Sequence, residues 1–518
     1  MTSLPENAPR IKRQALLDQT QAIVGIVEGA YEQGTAAHEV EKPLFSKLLE
    51  VGYQALDLLF SLYGPCDVGE QVDLSDGRSV KRLEDRHRRD YLSLFGELSI
   101  ERAVYGTREG QKIDYVPLDV RLRLPKSKVS YVLQDWSQAM ASEMPYAQTS
   151  PTLERILGLS LSVNTLERTN RNVGASSDAY WDHQVESTPA VEPQIVVCSS
   201  DSKGVVIRKT ADEQAEGAVM AKPASLESSP AKTQSGKKKM AVIGAVYTIE
   251  PHCRTPQAVL ESLFASADQN GVDRSLPPRP NPMEKQGRAS LHRDQRDTLL
   301  PARQQIAEWL GQEYQQRNPL NEQAGVLIMD GEDKRWTLSQ AALAREVTQI
   351  LDIIQASSDV WQAIQALHPG LSTEHYIPLV KPKIGDLLAG GVKRVIRGFR
   401  WQATHQRLTG DALKKVTGTC TYLQNQAHRM RYDEYLAAGY PMASGVIEGA
   451  CRHVVVDRME RSGMRWVMKG AQSMLALRCL HINGDWDHFM AFHIKQEQQA
   501  IHPLTAANDD EYFCPMVA

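Results

Sequence analysis

The sequence lacks the features of a membrane protein, a secreted protein or a disulfide framework. No apolar run among its 518 residues approaches the ~20 that a membrane-spanning helix needs. Residues 1–12 are polar and have no apolar core like that of a signal peptide, so we expect no secretion signal. The seven cysteines are scattered and never form a C-x-x-C pair. This disfavours a zinc knuckle and is typical of reduced thiols in a cytoplasmic protein.

Charge is nearly balanced over the whole chain but not along it. The 59 Lys+Arg and 63 Asp+Glu residues give a net charge of −4. Residues 391–480 hold 15 basic and 6 acidic residues, which leaves a net −13 on the rest of the chain. A basic block suits a polyanionic partner such as DNA. Lys and Arg side chains that bind the phosphates release the counterions condensed on the nucleic acid, which favours binding. Trp361, Trp401 or Trp466 could stack on an unpaired base at the cleaved end, or each could be a core residue. The alternative is an ordinary solvated helical surface.

The first part of the chain is predicted to be mainly helical. Residues 14–62 and 130–181 carry apolar side chains at helical spacing. Around 91–115 the spacing of the apolar residues shortens toward two, which predicts a small antiparallel sheet. Within the second helical stretch, one helix is expected to end near Gly158 and another to begin at Ser162.

This pair of helices resembles a helix-turn-helix, whose second helix can enter the major groove of DNA. The alternative is a hairpin that serves only packing, because the same geometry is common in all-α proteins. The candidate base contacts lie on the second helix. They are Ser162, Asn164, Thr165, Arg168 and Arg171.

From residue 195 onward, short apolar strands alternate with helices. The first three predicted strands are close in sequence and are expected to pair antiparallel, the first two as a hairpin. Each of the last two follows a helix, as parallel crossover strands do. Residues 211–239 and 271–289 are expected to be irregular. The predicted strands are 195–198, 204–207, 240–247, 325–329 and 347–351. A five-stranded mixed sheet of this order is typical of an RNase H-like fold.

Three acidic residues fall at the boundaries of these elements. Asp201 follows the first strand, Asp330 ends the fourth, and Glu448 lies in the first turns of a helix that Ser444 opens. Acids at the ends of adjacent strands, with a third from a helix, can converge, and divalent cations would then offset their repulsion. Two Mg²⁺ ions about 3.5–4 Å apart can promote phosphodiester displacement.

Each acid also has an ordinary structural explanation. Asp201 would suit a hairpin turn, and Asp330 followed by Gly331 is a common turn dipeptide. Glu448 could pair with Arg452 at the next turn of its helix. These readings stay open at this point, and none of them requires a metal ion or a reaction.

The arginines that follow Glu448 are candidates for phosphate contacts beside such a site. The alternative is pairing with Asp457 and Glu460 on the same helix and ordinary solvation. The four residues are Arg452, Arg458, Arg461 and Arg465.

Three blocks of residues carry a more specific signal: 200–205 (SDSKGV), 327–332 (LIMDGE) with Trp336, and 444–452 (SGVIEGACR) with 462–466 (SGMRW). With these blocks the chain resembles the DDE transposases of bacterial insertion sequences, closest to the ISKra-type group, from about residue 90 to 490. The resemblance implies an RNase H-like core in which Asp201, Asp330 and Glu448 bind Mg²⁺, with Mn²⁺ as a substitute.

The same resemblance implies the activity and the partners. The protein would cut DNA at element ends and join the released end to target DNA, which is DNA transposition. Its partners would be double-stranded DNA, as terminal inverted repeats and as target, bound by a homodimer or a higher assembly. We expect it in the bacterial cytoplasm, associated with the nucleoid and not with a membrane. The long gap between Asp330 and Glu448 implies a helical insertion domain.

Two positions depart from the family pattern. The fifth-strand block often continues Leu-Asp-x-x-His, but Gln355 stands here at the histidine position. Relatives can have cysteine pairs in the stretch that corresponds to 105–117, which has no cysteine in this chain. We therefore expect no zinc there.

These features together predict an α/β protein with a mainly helical N-terminal DNA-binding region. Two alternative functions stay open: a structure-specific RNase H-like nuclease without strand transfer, and a non-catalytic, transposase-derived DNA-binding protein. The predicted divisions are a helical region 1–90, a helical DNA-binding region 91–188, the first part of the catalytic core 189–355, a basic helical insertion 356–440, the second part of the core 441–494 and a tail 495–518.

Overall fold

The chain divides into two compact units. The first consists of the described residues up to Tyr180 and from Trp486 onward, and the second of those in Trp181–Asp485. Within the described residues, no helix combines the length and apolar character needed to cross a membrane. The finer divisions inferred from the sequence stay predictions. The structure, a computed structural model, describes residues 8–107, 113–183, 189–191, 193–208, 237–265, 279–291, 301–461 and 463–504.

A two-helix hairpin opens the first unit, which confirms the predicted helical character of 14–62 and adds a turn that was not predicted. It consists of α1 (Ala8–Gln33) and α2 (Ala37–Tyr63). Gly34 begins the turn between them with a φ of 63°. Lys12 Nζ lies 2.6 Å from Asp57 Oδ1, so an ion pair joins the start of α1 to the last turns of α2.

Two small antiparallel sheets follow, and they begin earlier than the predicted stretch 91–115. One has the order β1-β2-β5, and the other pairs β3 with β4. In β1 and β2 a single residue is buried in each strand, Val72 and Val80, so their sequences carry almost no apolar pattern. The strands are β1 (Gln71–Asp73), β2 (Ser79–Arg82), β3 (His87–Ser93), β4 (Gly96–Arg102) and β5 (Tyr105–Gly106).

The helical prediction for 130–181 is confirmed, including its turn. One helix ends at Gly158, whose φ is 69°, and Ser162 caps the next by accepting a hydrogen bond from Thr165 N at 3.1 Å. The helices are α3 (Pro117–Arg121), α4 (Tyr131–Glu143), α5 (Tyr146–Leu157), α6 (Val163–Gly174) and α7 (Ser177–His183).

A five-stranded mixed sheet forms the centre of the second unit, and this confirms the predicted α/β class. Its order is β10-β9-β6-β7-β8. β6 pairs antiparallel with β7, and β7 with β8, whereas β6–β9 and β9–β10 are parallel pairs. The strands are β6 (Ile195–Ile207), β7 (Lys237–Ile249), β8 (Met283–Leu291), β9 (Gly325–Met329) and β10 (Thr348–Leu351).

The predicted hairpin of 195–198 and 204–207 is wrong, because both segments belong to the single strand β6. The polar residues between them stay extended, since their hydroxyl groups form hydrogen bonds to the neighbouring strands. Ser199 Oγ donates to Ile328 O at 2.7 Å, and Ser200 Oγ donates to Ile243 O at 3.0 Å. Local serine–backbone bonds, which would favour a turn, are therefore replaced by bonds across the sheet.

One strand of the sheet, β8, begins inside the segment predicted to be irregular, 271–289, so that prediction is wrong for residues 283–289. β8 is an edge strand that pairs only with β7, and its sequence is largely polar, so it gave no apolar signal. The prediction is also wrong for residues 237–239, which belong to β7, whereas 211–236 and 271–278 lie outside the described residues.

Helices cover both faces of this sheet. Val196, Cys198 and Leu327 pack against α9 and α10, while Val197 and Ile328 face the helices after β10. A 3₁₀ turn (Ala427–Arg429) and a π-helical turn (Arg452–Val456) interrupt the series. The helices are α8 (Pro256–Phe264), α9 (Ala302–Arg317), α10 (Asp333–Leu343), α11 (Ile353–Leu367), α12 (Thr373–Leu388), α13 (Val392–His405), α14 (Gly410–Gln426), α15 (Tyr432–Ala437), α16 (Gly445–Cys451), α17 (Asp457–Met459), α18 (Met468–Asn483) and, in the first unit, α19 (Trp486–Ile501).

Candidate active site

Asp201 and Asp330 lie side by side where β9 ends. The parallel register pairs Ser200 of β6 with Met329 of β9, so the next residue on each chain segment is an aspartate. β6 continues beyond this point, and Asp201 pairs with Ile243 of β7. Asp201 therefore lies inside a strand, not past its end as predicted, and its carboxylate is accessible because its parallel neighbour stops.

The guanidinium of Arg335 joins the two aspartates. Its Nη1 donates to Asp201 Oδ1 at 3.2 Å and to Ser200 O at 3.0 Å. Its Nη2 donates to both carboxylate oxygens of Asp330, at 2.7 and 2.8 Å. The Arg335 side chain is only 6% exposed, whereas the aspartates are 35% and 40% exposed. The site thus consists of two partly exposed carboxylates that both bind one buried cation, the guanidinium of Arg335.

Electrostatics keep that cation charged. Burial alone lowers the pKa of Arg335, but the carboxylates of Asp330, Asp201 and Glu332 outweigh it, and the pKa is raised overall. Arg335 Nε donates to Glu332 Oε2 at 2.8 Å, and Glu332 also pairs with Arg303 at 2.6 Å.

Trp336 holds the backbone next to this cluster. Its ring is buried, and its Nε1 donates to the carbonyl oxygen of Asp330 at 2.7 Å. The guanidinium of Arg429 lies 4.3 Å from the centre of the Trp336 ring. The tryptophan therefore holds the turn after β9 in place, and with it the backbone position of Asp330.

Asp352, directly after β10, ties the helix of Glu448 to the sheet. It is buried and caps α11, with Oδ1 accepting from Ile354 N at 2.6 Å. Its other oxygen accepts from Ser444 N at 2.8 Å and from Ser444 Oγ. Because Ser444 opens α16, Asp352 determines where the helix that carries Glu448 begins.

Glu448 is exposed and lies within electrostatic reach of Asp201. Burial first, and then the negative charges of Asp352 and Asp201, raise its pKa. Among the described residues its carboxylate has no hydrogen bond or ion pair. Cys451, one turn later on α16, donates from Sγ to Asp201 Oδ2 at 3.5 Å, so this helix packs directly against Asp201. A π-helical turn then follows, an irregularity that is frequent at functional sites.

The donor set suits a hard divalent cation, although three His, Cys, Asp or Glu side chains are not gathered tightly enough to hold one in the described part of the chain. Asp201, Asp330 and Glu448 offer carboxylate oxygens, the ligands that Mg²⁺ and Mn²⁺ prefer. The two aspartates already share a positive charge, that of Arg335. The types of donor atom match those of the predicted metal, but in this structure Arg335 supplies the counter-charge and engages both carboxylate oxygens of Asp330, so metal binding stays a prediction.

The arginines after Glu448 differ in their exposure. Arg452, Arg461 and Arg465 are exposed. Arg452 Nε lies 3.6 Å from Asp457 Oδ1, which confirms the alternative pairing with Asp457 for this arginine, in place of a pairing with Glu448. Arg458 is buried, and its guanidinium lies 5.0 Å from the Trp466 ring centre. A phosphate contact by Arg458 would need this segment to rearrange; for the other three it stays a prediction.

The candidate base-contact residues all lie on or next to α6, in the first unit. Ser162, Asn164 and Arg168 are exposed, and Thr165 and Arg171 are half-buried. Ser162 is already engaged as the cap of α6, and its Oγ lies 2.9 Å from Thr165 Oγ1. Their contact with DNA stays a prediction.

Sequence reasoning missed Arg335, Asp352 and Cys451 as members of this site. Arg335 stands immediately before Trp336, and Cys451 lies inside the block 444–452. Both therefore lie in or next to motifs that were identified through other residues, Trp336 and Glu448. No spacing rule singles them out, because each acts through a partner far along the chain. Arg335 and Asp201, for example, are 134 positions apart.

A shallow surface groove of about 650 Å³ lies along α14, and Tyr422 is one of its lining residues. Gly331, next to Asp330, lies under Tyr422, since a Cβ at this glycine would be 2.3 Å from the tyrosine hydroxyl. The other lining residues are Leu413, Lys414, Thr417, Gly418, Thr421 and Asn425.

Comparison with known proteins gives no match: no protein-family model matches the chain, and no curated protein does. The resemblance to DDE transposases therefore depends on short blocks of residues. Each of the three blocks contributes to the cluster described above, through Asp201, through Asp330 and through Glu448 with Cys451.

Proposed function

We propose that this chain is a DDE transposase, which uses divalent metal ions to cut DNA at the ends of an insertion sequence and to join them to target DNA. The observation that carries the proposal is the meeting of Asp201 and Asp330 on neighbouring parallel strands, with the helix of Glu448 packed against Asp201. The strand order, with an antiparallel set on one side of β6 and a parallel pair on the other, supports an RNase H-like core.

Asp201, Asp330 and Glu448 would hold Mg²⁺, with Mn²⁺ as a substitute. When bound, such ions activate the attacking oxygen and stabilise the leaving oxygen of a phosphodiester displacement. Arg335 keeps the two aspartates adjacent before any ion arrives, because it offsets their mutual repulsion. Asp352 fixes the start of α16, and through it the approach of Glu448.

The backbone next to Arg465 pairs with the end of β6. Trp466, the next residue, pairs through its backbone with the end of β6: Trp466 N donates to Val206 O at 3.0 Å, and Arg208 N donates to Trp466 O at 2.8 Å. Arg465 is exposed, and its backbone thus lies next to the end of the strand that carries Asp201. This supports the predicted phosphate contact.

The basic helix α13 offers a second surface for DNA. Lys393, Arg397, Trp401 and His405 follow one another at four-residue spacing and are all exposed. The Trp401 ring is 65% exposed and stacks on His405 with a centroid distance of 4.9 Å. Trp466 is buried, so of these two tryptophans Trp401 is the one placed to stack on a base.

The direct test is DNA cleavage by the purified full chain. The substrate is a supercoiled plasmid that carries the coding sequence with its native flanking DNA, incubated with Mg²⁺ or Mn²⁺. Asp330→Asn should abolish cleavage and leave DNA binding intact, whereas Asp411→Asn, at an exposed aspartate that contributes no contact to the described site, should behave as wild type.

The outcomes separate the alternatives. Joined products in the wild-type reaction support a transposase, while cleavage without joining favours a structure-specific nuclease. A wild-type protein that binds DNA and never cuts it with either metal favours the non-catalytic DNA-binding protein. An Asp330→Asn variant that still cuts shows that the three acids are not the catalytic residues.

A further inference from the structure

Lys203 lies on the same face of β6 as Asp201, two residues further along the strand. Side chains alternate between the two faces of a strand, so positions 201 and 203 share a face, with their Cα atoms about 7 Å apart. Val197 identifies this face, because it packs in the core formed with the helices after β10. Lys203 therefore extends the surface on which the candidate acid lies.

The helix that carries Glu448 covers this face next to Lys203. Cys451 of α16 donates from Sγ to Asp201 Oδ2 at 3.5 Å. Burial and the negative charge of Asp201 raise the pKa of the Cys451 thiol, and the positive charge of Lys203 acts in the opposite direction. The ammonium group of Lys203 is thus within electrostatic reach of the contact between α16 and Asp201.

Lys203 is half-buried and does not pair with the acid beside it. Oδ1 of Asp201 accepts from Arg335 and from Ser202 N, the latter at 2.6 Å. Oδ2 accepts from Cys451. In the described part of the chain, no side chain or carbonyl group forms a hydrogen bond or ion pair with the Lys203 ammonium. This lysine is therefore a cation at the site that does not serve as the counter-charge of the aspartates.

The arginines of the acid cluster are already committed to partners within the protein. All five N–H groups of Arg335 donate, four to carboxylate oxygens and one to the carbonyl oxygen of Ser200. Arg303 is paired with Glu332. Of these three cations, Lys203 is the one whose donors are left for a ligand.

We propose that Lys203 binds a phosphate oxygen of the DNA strand that is cut at this site. Its ammonium group is a compact positive charge with three donors, which suits a phosphate oxygen. A cation fixed beside the acids also stabilises the charge that develops on the phosphate during displacement. The inference rests on the proposed function for the identity of the anion, and it adds to the three acids a residue that contacts the substrate directly.

The contact can be tested through the salt dependence of DNA binding, which requires no cleavage. The full chain with Asp330→Asn is titrated, in Mg²⁺ and increasing NaCl, onto labelled duplexes tiled across the native flanking DNA of the coding sequence. On the duplex that binds most tightly, adding Lys203→Gln should weaken binding roughly threefold to tenfold. It should also reduce the slope of log affinity against log salt by about one, because one phosphate contact is lost.

Lys238→Gln is the matched control for this measurement. Lys238 pairs with Val206 across the two strands, so it lies on the opposite face from Lys203, and its Nζ is 3.3 Å from Glu460 Oε1. Its replacement should leave the slope as it is. An unchanged slope in Lys203→Gln, or an equal change in both variants, overturns the proposal.

Cleavage separates this contact from the proposed function. With Asp330 intact, Lys203→Gln should slow single-turnover cleavage roughly tenfold or more, and Lys203→Arg should recover most of the rate because it restores the charge. Urea denaturation checks that both variants are folded. A reduced salt slope in a chain that never cuts DNA supports the contact and contradicts the transposase. Equal cleavage by wild type and Lys203→Gln overturns the contact and leaves the transposase standing, and a wild type that binds none of the duplexes overturns both.

Discussion

Arg335 Nη2 lies 2.7 and 2.8 Å from the two carboxylate oxygens of Asp330. The same guanidinium, through Nη1, reaches Asp201 on the neighbouring strand at 3.2 Å. One buried side chain thus fixes two acids that would otherwise repel each other. The arrangement suggests that ion binding at this site and the stability of the fold are linked.

Arg335→Gln should lower stability and increase the response to Mg²⁺. Removing one partner of a buried ion pair costs several kcal/mol, and about 1–3 is expected here because the aspartates are partly exposed. Mg²⁺ should then raise the melting temperature of the variant more than that of wild type, since the ion takes over the missing charge. Arg303→Gln, which loses only the contact with Glu332, is the control. Equal Mg²⁺ responses in all three proteins would contradict this role.

Asp352→Asn should loosen the helix that carries Glu448. The variant removes the charge from the carboxylate that accepts hydrogen bonds from Ser444 N and Ser444 Oγ. The expected loss in free energy of unfolding is about 1–3 kcal/mol. Urea denaturation measures this loss, and cleavage should fall further than DNA binding. Ser444→Ala removes only the hydroxyl and should cost less, about 1 kcal/mol. A larger loss in Ser444→Ala than in Asp352→Asn would show that the aspartate is not the anchor.

Glu448→Gln should stabilise the fold while it abolishes cleavage. The folded state raises the pKa of Glu448 above its ordinary 4.5, so the folded chain holds this proton more tightly than the unfolded chain. Wild type therefore loses stability as pH rises from 4.5 to the raised value, and the uncharged variant does not. The variant should have the higher urea midpoint at neutral pH, and the difference should vanish in acid. Glu346→Gln controls for the loss of one exposed charge, and a pH-independent difference would contradict the assignment.

Cys451 should resist alkylation in the folded protein. Burial first, and then the negative charge of Asp201, raise the pKa of its thiol, so the reactive thiolate is scarce. Iodoacetamide is expected to label the exposed Cys253 far faster than Cys451, with the two rates converging in denaturant. Peptide mass spectrometry gives both rates from one sample. Comparable labelling of the two cysteines in the native state would mean that α16 opens readily.

Part of the site could be predicted because its signals are local. The apolar run 325–329 followed directly by Asp330 defines both a buried strand and the acid at its end. The turn at Gly158 and the cap at Ser162 were also predictable, because each depends on one residue type at one position. The same holds for the α/β class, which follows from the alternation of strands and helices.

The remainder depends on partners that are distant along the chain. Residues 199–203 are mostly polar and suit a turn, and only the strands on either side keep them extended. β8 is recognisable through its pairing with β7, since its own sequence is polar. Arg335 contributes to the site only because β6 and β9 lie side by side, which no local pattern around it reveals.

The continuity of β6 limits how this chain can vary in length. Side chains on a strand alternate between its two faces, so a single inserted or deleted residue before Asp201 would move the aspartate to the opposite side. The same shift would exchange Val196 and Val197 between the two helical layers. A one-residue insertion or deletion within 195–201 would therefore move the aspartate out of the site and disrupt both cores at once, so homologous chains should differ here by substitution and not by a one-residue change in length.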